Sequence, residues 1–395
     1  MNSGAADEGR PLRVLYSFPH TWGAPGIGTT AYGQVTALAR QGHEITLVTT
    51  ATARPVPPGV RVVRTLSAGG LRLPHRALGG VERALAYHDA VATALLLGRR
   101  RYDVVHTWPL GALRTLRAAR DKGVVGFREV PNCHTEHAYA VVARLGEELH
   151  LPAQPGHSHA YDERRLRREE REYAAAARLL VPSPFVEQTF LDRGFAPAVL
   201  ARHRYGFDPA RVPATPPRGR REGGLRALFL GRCEPRKGLH VALAAWRASQ
   251  ASRAGSLTIA GGFVPGYAEA LAVDLAQPGV RAVGVVGDVS GLLADADVLL
   301  LPSYEEGSAL VTYEAQAAGA VPLVSAAAGA YLEHGVSGLV HEVGDVGGLT
   351  GHLDLLHADR GRLLELAQAA QRRRDDLTWD AAADVLARRY GEAVG

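Results

Sequence analysis

The chain has 395 residues, a formal net charge of +5 at pH 7 and a charged fraction of 22%. This length is too great for one hydrophobic core and predicts two domains, while the modest charge argues against a disordered chain and only weakly for anionic partners. Cys133 and Cys233 are the only cysteines, which argues against a disulfide framework and favours a reducing compartment.

The N-terminus and the hydrophobic runs indicate where the protein works. Residues 1–11 lack the charged start and apolar core of a secretory signal peptide. No stretch reaches the roughly 20 apolar residues that a membrane-spanning helix needs. We therefore expect a cytoplasmic protein without a membrane span. Residues 162–173 (DERRLRREEREY) pair opposite charges at i,i+4 spacing, which predicts a solvated helix and a poor membrane anchor but leaves peripheral membrane contact open.

The first half of the chain alternates predicted strands and helices. Residues 13–18 (RVLYSF) predict a buried strand, which a turn-rich stretch, a helix from about residue 29 to 40 and a strand over 44–50 follow. Further strands are predicted over residues 60–66, 103–107, 124–130, 179–183 and 200–206. This alternation is typical of a parallel, doubly wound sheet, so residues 1–208 are assigned to a Rossmann-like domain.

Two turns in this half carry candidate ligand-binding residues. Gly26 and Gly28 lie at the first strand-to-helix turn, where they either let the backbone approach an anion or a sugar or serve ordinary turn geometry. His134, in PNCHTEH, is either a hydrogen-bonding group in a cleft or a histidine that makes only local loop bonds. Cys133, His134 and His137 lack a fourth ligand with convincing spacing, so no zinc site is predicted.

The second half repeats the α/β pattern after a linker. Residues 209–224 (PARVPATPPRGRREGG) are rich in Pro, Gly and Arg and have no hydrophobic period, which predicts the linker. Strands are then predicted over residues 226–231, 256–260, 280–286, 298–301, 321–325 and 338–343. Residues 225–377 are therefore assigned to a second Rossmann-like domain. The predicted fold class is α/β, with two doubly wound domains facing across a cleft.

A basic loop and an acidic element follow two strands of the second domain. The loop GRCEPRKG presents Arg232 and Lys237, and Lys237 is one of only two lysines in the chain. A forked guanidinium and a compact ammonium suit a diphosphate, although a solvated basic turn is the alternative. Residues 302–319 (PSYEEGSALVTYEAQAAG) predict a turn and a helix capped by Ser308 and closed by Gly319.

Two carboxylates belong to this acidic element. Glu306 lies in the turn and Glu314 on the helix, so both approach the carboxyl ends of the strands, where ligands bind in parallel sheets. Two solvated surface glutamates are the alternative interpretation. Asp295 and Asp297 look like a metal-binding pair, but their place at a predicted helix end indicates helix termination, and we infer no metal there.

Taken together, these residues resemble the retaining glycosyltransferases of family 4, which have the GT-B fold. The match covers most of the chain, and two of its motifs are specific in combination: the loop GRCEPRKG and the Glu-x7-Glu pattern from Glu306 to Glu314. Other matching segments are the turn GIG, DVVHTW, VPSPFVEQTF and YGFD. Residues 378–395 look like the helical segment that in this fold crosses back onto the first domain.

The resemblance implies a role for each candidate residue. Arg232 and Lys237 would bind the donor diphosphate, and Glu314 would accept hydrogen bonds from the nucleotide ribose. Catalysis would involve Arg232, Lys237, Glu306 and His134, with His134 reaching the sugar or phosphate from the first domain. The remaining donor-binding positions would be Gly26 and Gly28 in the first turn, Gly287 and Val289 near the base, and Gly307, Ser308, Ala309 and Leu310 at the sugar hydroxyls.

The predicted activity is transfer of a sugar, with retention at the anomeric carbon, from a nucleoside diphosphate sugar to a hydroxyl of a small-molecule, natural-product acceptor. UDP is favoured over GDP by family habit. No separate nucleophile is evident, so the leaving phosphate would itself take the acceptor proton. No metal or other cofactor is expected, because Arg232 and Lys237 would stabilise the charge of the leaving group.

Several alternatives stay open. The acceptor, bound mainly by residues 67–74 and 142–160 of the first domain, is alternatively a cell-envelope glycan or lipid. The same fold also suits a pseudo-glycosyltransferase, a sugar-nucleotide epimerase or a non-catalytic nucleotide-sugar-binding protein. A nucleic-acid partner is not expected, because aromatic and basic residues do not interleave on a predicted strand. The sequence does not indicate an oligomeric state.

Overall fold

The computed structural model describes residues 10–68, 71–152, 159–213 and 223–395. Its strands are β1 Arg13–Trp22, β2 Glu44–Thr52, β3 Arg61–Arg64, β4 Ser67–Ala68, β5 Leu71–Arg72, β6 Val104–Thr107, β7 Val125–Glu129, β8 Arg178–Val181, β9 Leu200–Arg202, β10 Arg226–Leu230, β11 Ser256–Ala260, β12 Val280–Gly284, β13 Val298–Leu301, β14 Val321–Ser325 and β15 Leu339–His341. Its helices are α1 Ile27–Arg40, α2 Val81–Leu97, α3 Leu113–Asp121, α4 Thr135–Glu148, α5 Glu163–Ala175, α6 Pro184–Leu191, α7 Leu239–Ala248, α8 Tyr267–Ala270, α9 Ala272–Leu275, α10 Ser290–Asp295, α11 Leu310–Ala318, α12 Val346–Ala358, α13 Arg360–Arg372 and α14 Trp379–Val394.

The molecule is built on two parallel sheets, which confirms the predicted α/β class. The first has the strand order β3-β2-β1-β6-β7-β8-β9, and the second has the order β12-β11-β10-β13-β14-β15. Neighbouring strands within both sheets run parallel. The order reverses between β1 and β6 and between β10 and β13. Crevices for ligands open at such reversals, outside the carboxyl ends of the strands.

The strands form where apolar residues run continuously, because both faces of these sheets are covered. All four residues of β13 are buried, as are those of β6 and β14. Strand β1 is longer than predicted: it continues past Phe18 through a register shift to Trp22, which pairs with Thr52 of β2. The buried Trp22 ring, whose Nε1 donates to Ala31 O at 3.1 Å, ties this extension to α1.

Helix α5 differs from the solvated helix that its charges predict. The i,i+4 pairs Arg167–Glu163 and Arg165–Glu169 both form, at 2.8 Å. Glu169 and Glu172 are nevertheless buried, and both contact Arg128, which is itself fully buried on β7. The prediction is therefore wrong for one face of α5, because a buried arginine on the neighbouring strand requires carboxylate partners.

Helix α14 packs on the first sheet from the C-terminal end of the chain. Its Trp379 lies so close to Gly33 of α1 that a Cβ atom at Gly33 would overlap the indole. Tyr390 OH contacts His106 Nδ1 of β6 at 2.5 Å.

Of the predicted linker, residues 214–222 lie outside the described part of the chain, so the linker and the domain boundaries stay predictions. Within the described residues, no helix combines the length and apolar character needed to cross a bilayer.

Candidate active site

Two turns of the second domain meet at the reversal of its strand order. Residues 231–238 follow β10 and residues 302–309 follow β13, and these two strands are neighbours in the sheet. The turns are hydrogen-bonded, because Tyr304 N donates to Arg236 O at 2.7 Å. A Cβ atom at Gly238, where φ is 71°, would overlap Pro302 O, so only glycine permits this approach. The fold thus brings the basic loop and the acidic turn together.

Lys237 and Glu306 form an ion pair across these turns. Both side chains are largely shielded, with exposed fractions of 15% and 12%. Arg232 lies at the rim with a side chain that is 55% exposed, and its Nε is 3.9 Å from Glu234 Oε2. The predicted diphosphate-binding residues therefore share one turn: the shielded Lys237 ammonium pairs with Glu306, and the accessible Arg232 guanidinium lies near Glu234.

A second ion-paired layer lies beneath this pair, and the sequence interpretation missed it. Arg236 Nε is 2.7 Å from Glu234 Oε1, and its Nη1 is 3.2 Å from Glu305 Oε1 and 3.6 Å from Glu306 Oε1. Burial alone would raise the pKa of Glu305, but Arg236 and a hydrogen bond from His159 outweigh it, and the pKa lies well below its usual value. The one signal for this layer was the doubled acid Glu305-Glu306 opposite the doubled base Arg236-Lys237.

Glu314 lies on α11, eight residues after Glu306 along the chain. It is partly buried and lines a cavity of about 100 Å³ with Thr29 of α1, Leu310 and Arg211. Burial raises the pKa of Glu314 to about 7, an effect that Arg211 partly offsets. A carboxyl group with this pKa is about half ionised at neutral pH.

The start of α11 differs from the prediction in one respect. Ser308 does not cap the helix, because its hydroxyl contacts Gly329 O at 2.9 Å and Tyr313 OH at 2.8 Å. Ala309 occupies the N-cap position without a side-chain hydrogen bond, so Leu310 begins the helix. Gly319 ends it in the left-handed conformation with a φ of 81°, as predicted. Residues 307–310 thus connect Glu306 to α11, and within them Gly307 O accepts from Ser183 and Ala309 N donates to Ala328 O.

The other predicted donor positions lie on two separate turns. Gly26, with a φ of 79°, is the N-cap of α1, and a Cβ atom at Gly28 would approach Thr21 O to 2.7 Å. Gly287 is exposed and Val289 is the N-cap of α10. Thr29 and Glu314 line one cavity, so the structure brings the start of α1 close to α11.

His134 is not brought to this group of residues. Its ring packs against Tyr173 and Phe190, with ring centroids 5.2 and 5.0 Å away, and its Nδ1 accepts from Glu136 N at 3.3 Å. It caps α4 and is 3% exposed. Burial lowers the pKa of His134 to about 4, so the imidazole is neutral. Its geometry matches the local structural interpretation and does not support contact with a sugar or a phosphate.

The two domains touch directly at the acidic turn. Ser183 Oγ of the first domain donates to Gly307 O at 2.6 Å. A Cβ atom at Gly307 would overlap Pro131 O. The carboxyl ends of β7 and β8 therefore abut the turn that carries Glu306, and the cleft is closed at this point.

A larger cavity of about 770 Å³ lies on the first-domain side of these contacts. Its described lining comes from α4, from residues 150–152 and 159–161, and from the turn after β10. Tyr139, Val142, Leu151 and Pro152 make much of this lining apolar, while Glu234 and Arg236 border it from the second domain. Part of the predicted acceptor-binding segment, residues 142–160, thus lines a space next to the ion-paired layer; residues 153–158 lie outside the described part of the chain.

Metal ligands do not cluster in the described residues, where no three His, Cys, Asp or Glu side chains are arranged to hold an ion. Asp295 ends α10 and pairs with Arg226, and Asp297 accepts from Arg226 N at 3.0 Å. Both aspartates therefore contact Arg226, the first residue of β10. Asp295 is the last residue of α10, in agreement with the predicted helix end. The predicted absence of a metal cofactor stays a prediction.

Comparisons with known proteins agree with this architecture. A sequence model described as "Glycosyl transferase 4-like domain" matches residues 25–206, and one described as "Glycosyl transferases group 1" matches residues 224–359. The D-inositol 3-phosphate glycosyltransferase of Mycobacterium tuberculosis is 29% identical over 462 aligned positions, which cover 100% of this chain and 85% of that protein.

Solved structures share the fold at lower identity. Sucrose-phosphate synthase from Thermosynechococcus elongatus is 20% identical with a TM-score of 0.67, covering 97% of this chain and 99% of that chain. HepE from Anabaena, solved in complex with UDP, is 16% identical with a TM-score of 0.66, covering 96% of this chain and 100% of that chain. These likenesses extend over both domains and show a common two-domain architecture.

Proposed function

This chain belongs to the family 4-type glycosyltransferases with the GT-B fold, and on that premise we propose that it is a retaining enzyme that uses a nucleoside diphosphate sugar. The donor is UDP-linked in preference to GDP-linked, and the acceptor is a hydroxyl of a small-molecule natural product. Arg232 and Lys237 bind the donor diphosphate directly, without a metal ion.

The observation that carries this proposal is the ion pair of Lys237 and Glu306 where β10 and β13 end. Breaking the bond between the anomeric carbon and the phosphate oxygen leaves negative charge on the diphosphate and positive charge on the sugar. Lys237 and Arg232 stabilise the first charge, since preorganised donors in a shielded site need little reorganisation. A bound diphosphate competes for the Lys237 ammonium and leaves Glu306 available to the sugar hydroxyls.

Retention follows if the acceptor attacks from the face that the diphosphate leaves. The acceptor oxygen forms the new bond to the anomeric carbon, and its proton passes to the departing phosphate oxygen. The turns support this route, because Arg236 Nη1 lies 3.6 Å from Glu306 Oε1 and still pairs with Glu306 when the diphosphate takes Lys237, so Glu306 does not stand alone as a nucleophile. This step carries over from the family resemblance.

The choice of UDP over GDP rests on a protein of the same fold. HepE, which shares the fold, was solved with UDP and with UDP-glucose. In this chain Glu314 is a partly buried carboxyl whose pKa of about 7 gives it a substantial ionised fraction at neutral pH. An ionised carboxylate there accepts hydrogen bonds from both ribose hydroxyls. UDP and GDP have the same ribose, so the preference for uracil comes from the fold relatives alone.

The acceptor proposal rests on the cavity of about 770 Å³ beside the turn after β10. Its apolar lining favours an acceptor with an apolar portion, as many natural products have. A polar acceptor such as an inositol phosphate, on which the mycobacterial relative acts by its name, is the alternative, together with a sugar or a cell-envelope glycan or lipid.

The activity is tested by measuring nucleoside diphosphate release from a panel of UDP- and GDP-sugars with candidate acceptors, and by mass analysis of the products. Lys237→Ala is expected to lower kcat about 100- to 1,000-fold, the effect of removing a preorganised charge-stabilising donor. Lys122→Ala is the matched control, because Lys122 Nζ binds Leu96 O at 2.6 Å, away from the site.

Three results would contradict the proposal in different ways. Near-normal turnover of Lys237→Ala removes this residue from the diphosphate site. Donor binding without nucleoside diphosphate release under every acceptor indicates a nucleotide-sugar-binding protein. An isomerised donor, or a product without a glycosidic bond, indicates an epimerase or a pseudo-glycosyltransferase.

A further inference from the structure

Glu305, the residue before Glu306, is bound by side chains of both domains. Its carboxylate is fully buried. From the first domain, the Cys133 thiol donates to Oε2 at 3.3 Å and His159 Nδ1 lies 2.8 Å from Oε1. From the second domain, Arg236 Nη1 donates to Oε1 and to the carbonyl oxygen of Glu305, both at 3.2 Å. Each carboxylate oxygen thus has a partner that only the facing domain supplies.

This arrangement depends on closure of the cleft. A buried carboxylate is tolerated only where hydrogen bonds and opposite charge replace its hydration. When the first domain moves away, Cys133 and His159 leave, and water takes their places on Glu305. The closed form is therefore the one in which Glu305 is dehydrated and held by three side chains. Ser183 and Gly307 meet beside it and close in the same movement.

Through Arg236, Glu305 is also linked to the two turns that carry the proposed donor-binding residues. Arg236, its partner in the second domain, binds Glu234 at 2.7 Å and lies 3.6 Å from Glu306 Oε1. Arg236 directly precedes Lys237, and its carbonyl oxygen accepts from Tyr304 N. A change at the Glu305 carboxylate therefore shifts the Arg236 side chain. Arg236 contacts Glu306 and is the residue before Lys237, so the positions of both residues depend on it.

We propose that Glu305 is a positioning residue that couples closure of the two domains to the placement of Lys237 and Glu306. In the open form its carboxylate faces water and Arg236 alone. In the closed form Cys133 and His159 complete its contacts, and Arg236 is held so that Lys237 and Glu306 face the donor. The inference rests on the proposed function for the identity of the donor.

The kinetic test compares Glu305→Gln, Cys133→Ala and His159→Gln with the exposed control Glu163→Gln, using the UDP-sugar that the native enzyme turns over. Glu305→Gln is expected to lower kcat tenfold or more, while the Kd for UDP changes less than threefold, because Arg232, Lys237 and Glu314 remain. Cys133→Ala and His159→Gln should lower kcat in the same way but less. Combined with Glu305→Gln, they should add little, since all three act on one contact.

Thiol labelling gives a second measurement that does not depend on turnover. Cys133 and Cys233 are the only cysteines, and both are buried. In a Cys233→Ala background, Cys133 reacts only after the domains open, so its labelling rate at pH 8.5 follows the open fraction. UDP should slow labelling of the parent, and Glu305→Gln should raise the rate at least threefold and make the slowing by UDP smaller. The ratio of rates with and without UDP cancels the direct effect of the substitution on the thiol, whose pKa burial and the Glu305 carboxylate raise.

The outcomes separate this inference from the proposed function. Unchanged kcat and unchanged labelling in Glu305→Gln overturn the coupling, even if the native enzyme transfers sugar normally. A loss of UDP affinity as large as the loss of kcat makes Glu305 a donor-binding residue and overturns it too. If no donor is turned over, the proposed function fails, while faster labelling in Glu305→Gln still supports control of closure by Glu305. Should Glu305→Gln fail to fold, the milder Cys133→Ala and His159→Gln variants decide by the same measurements.

Discussion

At the scale of single residues, Glu314 combines partial burial with a titration near neutral pH. Burial raises its pKa to about 7 in the free protein. If the ionised carboxylate accepts the ribose hydrogen bonds, donor binding favours the deprotonated form and releases a proton. The Kd for UDP should therefore fall as pH rises from 6 to 8, by about tenfold for one group that must be ionised.

Calorimetric titration of UDP at several pH values checks this expectation. Glu314→Gln is the control, because its amide cannot titrate while the UDP phosphates titrate identically with both proteins. The difference between the two pH profiles thus reports Glu314 alone. Identical profiles for the native protein and Glu314→Gln would remove Glu314 from the nucleotide site.

Single residues also show what sequence reasoning can reach. Spacing predicts that Lys237 and Glu306 approach one crevice, since their loops follow strands of one parallel sheet, and the structure pairs them. Glu305 and Arg236 look like surface charges in the sequence. Their burial depends on Cys133 and His159, which are 172 and 146 residues distant along the chain from Glu305. No local pattern encodes such a contact.

At the scale of elements, α5 shows a helix whose two faces obey different rules. Glu163 pairs with Arg167 on the exposed face at 2.8 Å. Glu172 is buried, contacts Arg128 at 3.4 Å, and accepts from Leu110 N at 2.9 Å and from Ala112 N at 3.2 Å. Leu110 has a φ of 72°, a conformation that side chains other than glycine rarely adopt. Glu172 therefore holds a strained turn and a buried guanidinium together.

Removal of Glu172 should consequently cost far more stability than removal of Glu163. Glu172→Ala leaves two main-chain N–H groups without their acceptor, while Arg128 keeps Glu169 as a carboxylate partner at 2.9 Å. The free energy of unfolding should therefore fall by about 2–4 kcal/mol. Glu163→Ala breaks an exposed pair worth about 0.5 kcal/mol or less. Urea denaturation of both variants measures the difference, and equal losses would contradict the asymmetry of the two faces.

The strands were easier to predict than the helix boundaries for a physical reason. Strands of a covered parallel sheet read as unbroken apolar runs, as at β13, and their punctuation by turns is visible in the sequence. The helix starts depend on which hydroxyl reaches which main-chain group. Ser308 looks like a cap, but Gly329 O and Tyr313 OH lie within its reach, and these tertiary partners take its hydroxyl.

At the scale of the whole molecule, the two domains touch through a glycine. The resemblance to the family implies two facing domains, but it does not say which atoms meet when the cleft closes. In the structure, Gly307 lies against the main chain of Pro131 with no room for a side chain, and its carbonyl oxygen accepts from Ser183. Closure thus depends on the absence of one methyl group at the edge of the donor site.

Gly307→Ala should hold the domains apart without disturbing either sheet. The added methyl would overlap Pro131 O only in the closed form, so the variant should keep its thermal stability and bind UDP, while kcat falls tenfold or more. Gly291→Ala is the matched control, since a Cβ atom there meets no atom within 4 Å. Small-angle X-ray scattering with saturating UDP should give Gly307→Ala a larger radius of gyration than the native protein and the control. A native radius with native turnover would show that the domains need not meet at this glycine for catalysis.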